Sequence, residues 1–305
     1  MRTGFLLILI LLTGGCIRSV DELSVDALPI DRVTKPNVIC FISPQDTVLT
    51  AKIAMSEPQI VSSFAESLVV KDAVVLLSDS SRSIQLLYDD RLKYYRAVPQ
   101  GRFTIRPGVT YRLTVSMSGD RSVTAEATVP QTVPIDRVSL DSTVARNSAN
   151  AALTTYTTTV YWTSPGAGSG SRNANYYRGW AEIDQAIVDQ STGQSVSPRV
   201  SQPSFFVERE TGQIGAQRLM TGTHTLLTGP NTGTRTRRIR AGLLTTDENY
   251  YRYHTSLREQ FVNQEQNFAE PTVLYSNIVG GYGVFAAFNG SYTTVNEPVS
   301  KAPHQ

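Results

Sequence analysis

The chain has 305 residues, 40% hydrophobic and 18% charged, with 28 Lys+Arg against 26 Asp+Glu. That is enough to bury one large core or two ordinary ones, and it excludes a disordered chain and a coiled coil. A net charge of +2 argues against a dedicated nucleic-acid binder, and two cysteines exclude a disulfide scaffold or a Cys-rich metal site.

The first residues read MRTGFLLILILLTGGC. One cation, Arg2, precedes an apolar run from Phe5 to Leu12, followed by the small residues Thr13, Gly14 and Gly15. This is the layout of a secretory signal over residues 1–15, with an apolar run too short to span a bilayer. The string Leu12-Thr13-Gly14-Gly15-Cys16 resembles the lipobox of bacterial lipoproteins, in which the cysteine is acylated after cleavage just before it. Cys16 is therefore the expected lipidation site, and the membrane is an expected partner through that lipid. Residues 16–27 read as a lipidated tether. Cys40, inside Val38-Ile39-Cys40-Phe41-Ile42, reads as a small buried hydrophobe.

The pentapeptide Pro-Ile-Asp-Arg-Val occurs at 29–33 and again at 134–138, about one immunoglobulin-sized sandwich apart. Each copy is taken to open a β-domain. Between them, period-two alternation predicts strands at 49–55, 73–77, 84–88, 111–117 and 123–129. Residues 56–67 leave room for a short helical crossover. Further strands are expected at 155–162, 176–183, 204–208, 237–244, 273–278 and 282–288. One amphipathic helix is expected near 247–263. Thr245 and Glu248 stand at capping-box spacing, and Tyr250, His254, Leu257 and Phe261 form an inward stripe. The fold expected is all-β, with two sandwich-like domains at 28–131 (immunoglobulin-like) and 132–295, the helix in the second, and a tail at 296–305. An accessible linker is expected around Pro130–Pro134.

The C-terminal stretch NFAEPTVLYSNI at 267–278, followed by Gly280-Gly281-Tyr282-Gly283-Val284-Phe285, resembles the closing motif of a family of Bacteroidota lipoproteins of unknown function, domain-of-unknown-function family forty-two forty-nine. Similar features recur along the chain: the lipobox, an early strand like 38–44, an Ala-Val-x-Leu strand like 73–76 and a Tyr-rich helix like 249–261. The usual ending has Gly-Leu-Gly-Ile-Phe, so Tyr282 and Val284 are departures. The resemblance implies an outer-membrane lipoprotein, often encoded beside a TonB-dependent transporter, with no established activity. From the residues alone, Asn277 ends a strand, Gly280-Gly281 turn the chain and Gly283 admits a close backbone, which together read as a hairpin.

No catalytic set is visible. Gly281-Tyr-Gly283-Val-Phe-Ala286 matches a dinucleotide fingerprint but lies between β runs rather than before a helix. His224, His254 and His304 are not at metal-ligand spacing, and neither cofactor nor metal is expected. Adjacent Asp89 and Asp90 point to opposite faces of a strand, and Glu208 and Glu210 read as solvated charge. Arg238 and Arg240 share one face of a basic run, which suits either a β-edge blunted by charge or an anion-binding face. Tyr176, Tyr177 and Trp180 flank the Gly/Ser-rich stretch 164–175 and suit either a sugar- or peptide-binding patch or cross-strand packing. The expected function is a non-enzymatic, lipid-anchored accessory of an outer-membrane TonB-dependent transporter, with 164–175 and 228–234 as contact loops. The alternatives are a stand-alone surface lipoprotein that binds glycan or peptide, and a hydrolase, which would need a buried, pKa-shifted acid or His in a pocket.

Overall fold

A computed structural model describes residues 34–56, 68–99, 101, 103–146, 151–165, 175–196, 200–203, 207–229, 231–264 and 273–296. The signal, Cys16, the tether, all but the first residue of the expected crossover at 56–67, residues 166–174 and all but the first residue of the tail at 296–305 lie outside the described residues. The described chain is almost entirely β, with one helix.

In the first half the strands are β1 (Pro36–Ile42), β2 (Leu49–Met55), β3 (Val74–Ser78), β4 (Ser83–Asp89), β5 (Tyr94–Ala97), β6 (Thr110–Met117) and β7 (Arg121–Thr128). They are hydrogen-bonded in the order β1-β2-β5-β4-β3-β6-β7, every pair antiparallel. Alternation decides which side is buried. Val38, Cys40 and Ile42 of β1 meet Leu49, Ala51 and Ile53 of β2 and the inward rows of β3, β6 and β7 in one core. The path doubles over far enough for Thr124 of β7 to exchange two backbone hydrogen bonds with Val279, at 3.2 and 2.8 Å. Cys40 is buried as expected, and burial pushes its thiol up to about 12, so it is inert.

The second half supplies β8 (Arg137–Arg146), β9 (Ala152–Ser164), β10 (Asn175–Asp189), β11 (Val200–Pro203), β12 (Val207–Thr211), β13 (Gly215–Thr228), β14 (Thr232–Thr246), helix α1 (Glu248–Gln264) and β15 (Tyr282–Asn296). A three-stranded layer, β13-β9-β8, stacks on the β10-β14 pair. Leu140, Tyr156, Val160, Trp162 and Leu219 of the first layer pack against Tyr177, Ala181, Ile183, Ile239 and Leu243 of the second.

β15 belongs to both halves. Its first part runs parallel to β1, from Asn37↔Tyr282 to Ile42↔Ala287, and its remainder runs antiparallel to β14, from Thr246↔Phe288 to Arg238↔Asn296. Twelve strands are thereby joined in one sheet. Phe285 and Ala287 enter the first core, while Val284 and Ala286 pack under α1 with Tyr250. A strand buried on both faces reads as a continuous apolar run, here Val284–Ala287, rather than an alternation. The expected division at 131/132 therefore needs amending, because the last strand completes the first sandwich. The intervening segment is also tied down: Asn289 Nδ2 donates to the Pro130 carbonyl at 3.0 Å, and the Ile135 N–H donates to Ser291 Oγ at 3.2 Å.

The expected hairpin at 273–288 is likewise corrected. Residues 273–278 join no ladder. Where a neighbouring strand would lie, two side chains serve the open edge of β15. Asn277 Nδ2 donates to the Phe285 carbonyl (2.7 Å) and its Oδ1 accepts the Phe285 N–H (3.0 Å). One strand-period on, Asp247 Oδ2 accepts the Ala287 N–H (3.0 Å) and the Asp247 N–H donates to the Ala287 carbonyl (2.9 Å). Asp247 Oδ1 also accepts the Tyr250 N–H at 2.8 Å, so Asp247 rather than Thr245 caps the helix. Along α1 the buried stripe ends early. Tyr250, Tyr253 and His254 pack on Phe41, but Phe261 is 61% exposed. Gly283 has φ +102°, and a Cβ there would overlap the Val38 carbonyl oxygen, so the β1–β15 approach requires glycine.

Two outcomes follow. Gly283→Ala should lower unfolding free energy by about 3 kcal/mol or more, measured by chemical denaturation. A loss under about 0.5 kcal/mol would show that this approach does not govern stability. Burial, outweighing its two accepted N–H bonds, pushes the Asp247 carboxyl up to about 7. The folded state then holds this proton more tightly than the unfolded chain between about pH 4 and 7, so the group's contribution to stability falls as pH rises through that window. Asp247→Asn removes this dependence, and its stability deficit against wild type should shrink from pH 4 to pH 7. A deficit that grows over that range would contradict it.

Candidate functional site

Below the helix, the outer face of β10, β14 and β15 carries three rows: Trp180↔Gly242↔Tyr292, Glu182↔Arg240↔Thr294 and Asp184↔Arg238↔Asn296. Their inward neighbours are core residues such as Ala181, Ile183, Ile239 and Ala241, which fixes the outward parity. Two glycines on this face are covered by rings. A Cβ on Gly242 would overlap Nε1 and Cε2 of Trp180, and one on Gly290 would overlap the phenol end of Tyr292. Each ring thus lies down over a backbone position that has no side chain of its own. The ring centroids are 6.3 Å apart with planes at 51°, and Tyr292 is 54% exposed.

Beside the rings, Arg240 Nη2 donates to Glu182 Oε1 at 2.5 Å and Arg238 Nη2 to Asp184 Oδ2 at 3.4 Å. These side chains are part-exposed except Asp184, which is largely buried, so the pairs contribute little to stability and mainly hold the groups in place. The loop Ser43–Asp46 borders the face. Gln45 Nε2 donates to Asn289 Oδ1 (2.8 Å), and the Gly290 N–H donates to Gln45 Oε1 (3.2 Å). Burial pushes the Asp46 carboxyl up to about 6, and burial followed by the Asp46 charge raises Tyr292.

The structure thus brings Trp180, Arg238 and Arg240 together, although no spacing in the sequence joins them. It separates the other two candidates. Tyr177 is core, 1% exposed and packed on Trp162 at 4.9 Å, and Tyr176 lies against Tyr251 of the helix at 4.7 Å. The edge reading of the arginines is corrected, because β14 lies between β10 and β15. The reading of 228–234 as a long loop is corrected too. β13 ends at Thr228 and β14 begins at Thr232, with the Gly229 N–H donating to Thr232 Oγ1 at 2.8 Å. This turn borders a cleft of about 250 Å³ lined by hydroxyls of Ser142, Thr154 and Tyr156 among others. Tyr292, Glu182 and Asp184 were missed. Tyr292 sits in an alternating run, 291–296, that continues the last strand; the two carboxylates show only once β10 is paired with β14.

The described histidines serve the packing. His224 stacks on Tyr156 at 5.2 Å and donates through Nε2 to Gln185 Oε1 at 2.5 Å. His254 stacks on Tyr250 at 4.2 Å and donates through Nδ1 to the Tyr250 carbonyl at 3.0 Å. Burial, with Arg178 nearby, pushes His254 down to about 4. Among the described residues no cluster of three His, Cys, Asp or Glu is placed to hold a metal, and no helix is long and apolar enough to cross a membrane.

These features define an all-β protein with one helix and an open, ring-bearing sheet face. The chain belongs to the family described as Domain of unknown function (DUF4249), whose model matches residues 27–294. No curated protein matches it. Among solved structures it is similar to "Biofilm associated protein - B domain", with 7% identity over 86% of this chain and 85% of that one and a TM-score of 0.16, a likeness that bears on neither fold nor function.

Gly242→Val should expel the Trp180 indole. Since the only other tryptophan, Trp162, is fully buried, the variant's emission should shift to longer wavelength with a stability loss of about 1–2 kcal/mol. An unchanged spectrum would show that the ring does not rest on that glycine.

Proposed function

We propose that the chain is a lipid-anchored cell-envelope protein that works by binding rather than catalysis, as an accessory of an outer-membrane TonB-dependent transporter. The observation that carries the binding role is the ring pair of half-buried Trp180 and exposed Tyr292, set beside the Arg240–Glu182 and Arg238–Asp184 pairs on the outer sheet face. The lipobox-like Leu12–Cys16 supports the anchor, and the family resemblance supports the transporter. A protein confined to a membrane surface meets its neighbours at high effective concentration, so a modest interface suffices. A non-catalytic role is supported by His224 and His254, both of which are engaged in stacking and hydrogen bonding within the fold. The alternative, a stand-alone surface lipoprotein that binds its own ligand, is favoured by the same ring pair.

The test is gentle detergent extraction of tagged protein from its native membrane. Mass spectrometry should find diacylglycerol-modified Cys16 at the mature N-terminus, and Cys16→Ser should give an unprocessed form. A TonB-dependent barrel should co-purify. Recovery of lipidated protein alone from several mild detergents, and from cross-linked cells, would reject the transporter role.

A further inference from the structure

We infer that the outer face of β10, β14 and β15 is a saccharide-binding site, with Trp180 and Tyr292 stacking on pyranose rings and the flanking Arg240–Glu182 and Arg238–Asp184 pairs meeting the hydroxyls. This rests on reading the face as a binding surface, and it commits that surface to one ligand class.

The geometry selects that class in three ways. The rings are not sunk in a core: Trp180 lies over Gly242 of the adjacent strand and Tyr292 over Gly290 of its own, with Trp180 half-buried and Tyr292 exposed. Such a ring matches the apolar C–H face of a sugar at little entropic cost, because it is already held. Next, the charged groups in the two rows beside the rings are balanced. Arg238 and Arg240 are each bonded to a carboxylate across the strand pair, so these two rows offer donors and acceptors side by side with no net charge among the four groups. A neutral polyol, whose hydroxyls both donate and accept, is served by such a set. A nucleic acid strand, which needs unpaired cations along its backbone, is not.

Finally, the middle strand of the face is closed to further pairing. β14 is paired on both sides, to β10 and to β15, so its main-chain groups are already used within the sheet. A peptide binding by strand addition draws its affinity from main-chain hydrogen bonds at an open edge, and β14, which carries the two arginines, offers none. Thr294 and Asn296 extend the same face beyond the rings, in line with the arginine rows, and add neutral polar groups along the direction a short glycan chain would take.

The test uses the full-length chain in a detergent without a sugar headgroup, titrated with short neutral gluco-, xylo-, manno- and galacto-oligosaccharides. Calorimetry reports binding and tryptophan emission reports Trp180, since Trp162 is fully buried. At least one oligosaccharide should bind and change the emission. Trp180→Ala and Tyr292→Ala should each weaken that binding about tenfold or more, equivalent to one ring's contact. Trp180→Phe should restore part of it, with thermal unfolding close to wild type in all three variants. The inference is overturned if none of these sugars binds, or if one binds equally to both alanine variants. It is also overturned if short peptides, rather than sugars, are displaced by the substitutions. A barrel that co-purifies with wild type but not with Trp180→Ala, in protein that binds no sugar, would overturn the saccharide site and leave the transporter role standing. Sugar binding by protein that recovers no barrel would do the reverse.

Discussion

The parallel pairing of Asn37–Ile42 with Tyr282–Ala287 joins the two ends of the described chain and makes one sheet of what would otherwise be two. Much of the architecture follows from that contact. It places Phe285 and Ala287 in the first core and Val284 and Ala286 beneath the helix, so a single strand is buried on both sides. It also leaves the other edge of residues 282–287 without a strand. Buried main-chain groups left unpaired there would cost about 1–3 kcal/mol each. Asn277 and Asp247 meet that need by imitating the spacing of a neighbouring strand, one at residue 285 and the other at residue 287. Asp247 thereby couples the start of the helix to the sheet beneath it, since the same carboxylate caps α1.

From residue 288 onward β15 changes partner to β14, and the open face of the second sandwich depends on that exchange. Tyr292 reaches Trp180 only because β15 lies beside β14, and Gly290 and Gly242 leave the space in which the two rings lie flat. Here the sheet itself is thinned to two hydrogen-only positions to receive them, while Arg238 and Arg240 are kept from acting as free cations by carboxylates on the next strand.

Much of this was legible from alternation alone. β2 and β6, and the burial of Cys40, match the pattern of apolar and polar residues, because each has one wet face and one dry face. Gly283 was legible as a close-approach position for the same local reason. What failed was pairing at long range. Val284–Ala287 carries no alternation to reveal two buried faces, and Val273–Ile278 looks like a strand although side chains, not a ladder, hold the segment beside it. In the candidate site, Arg238, Arg240 and Trp180 could be named, but not their assembly. Tyr177 differs from Trp180 only in parity, and one residue's shift along β10 separates a core ring from a surface one. Glu182 and Asp184 stand more than fifty residues from the arginines they hold, with nothing local to announce the pairing.

A strand that arrives last has consequences for how such a chain is made. Gln45 and Gly290 are bonded across 245 residues, so during synthesis the first sandwich emerges long before its final strand. Until then β1 presents Val38-Ile39-Cys40-Phe41-Ile42 as an apolar, unpartnered sheet edge, the kind of edge that recruits strands from other chains. The first half is therefore an incomplete folding unit during its own biogenesis. A prematurely ended chain would carry that edge uncovered.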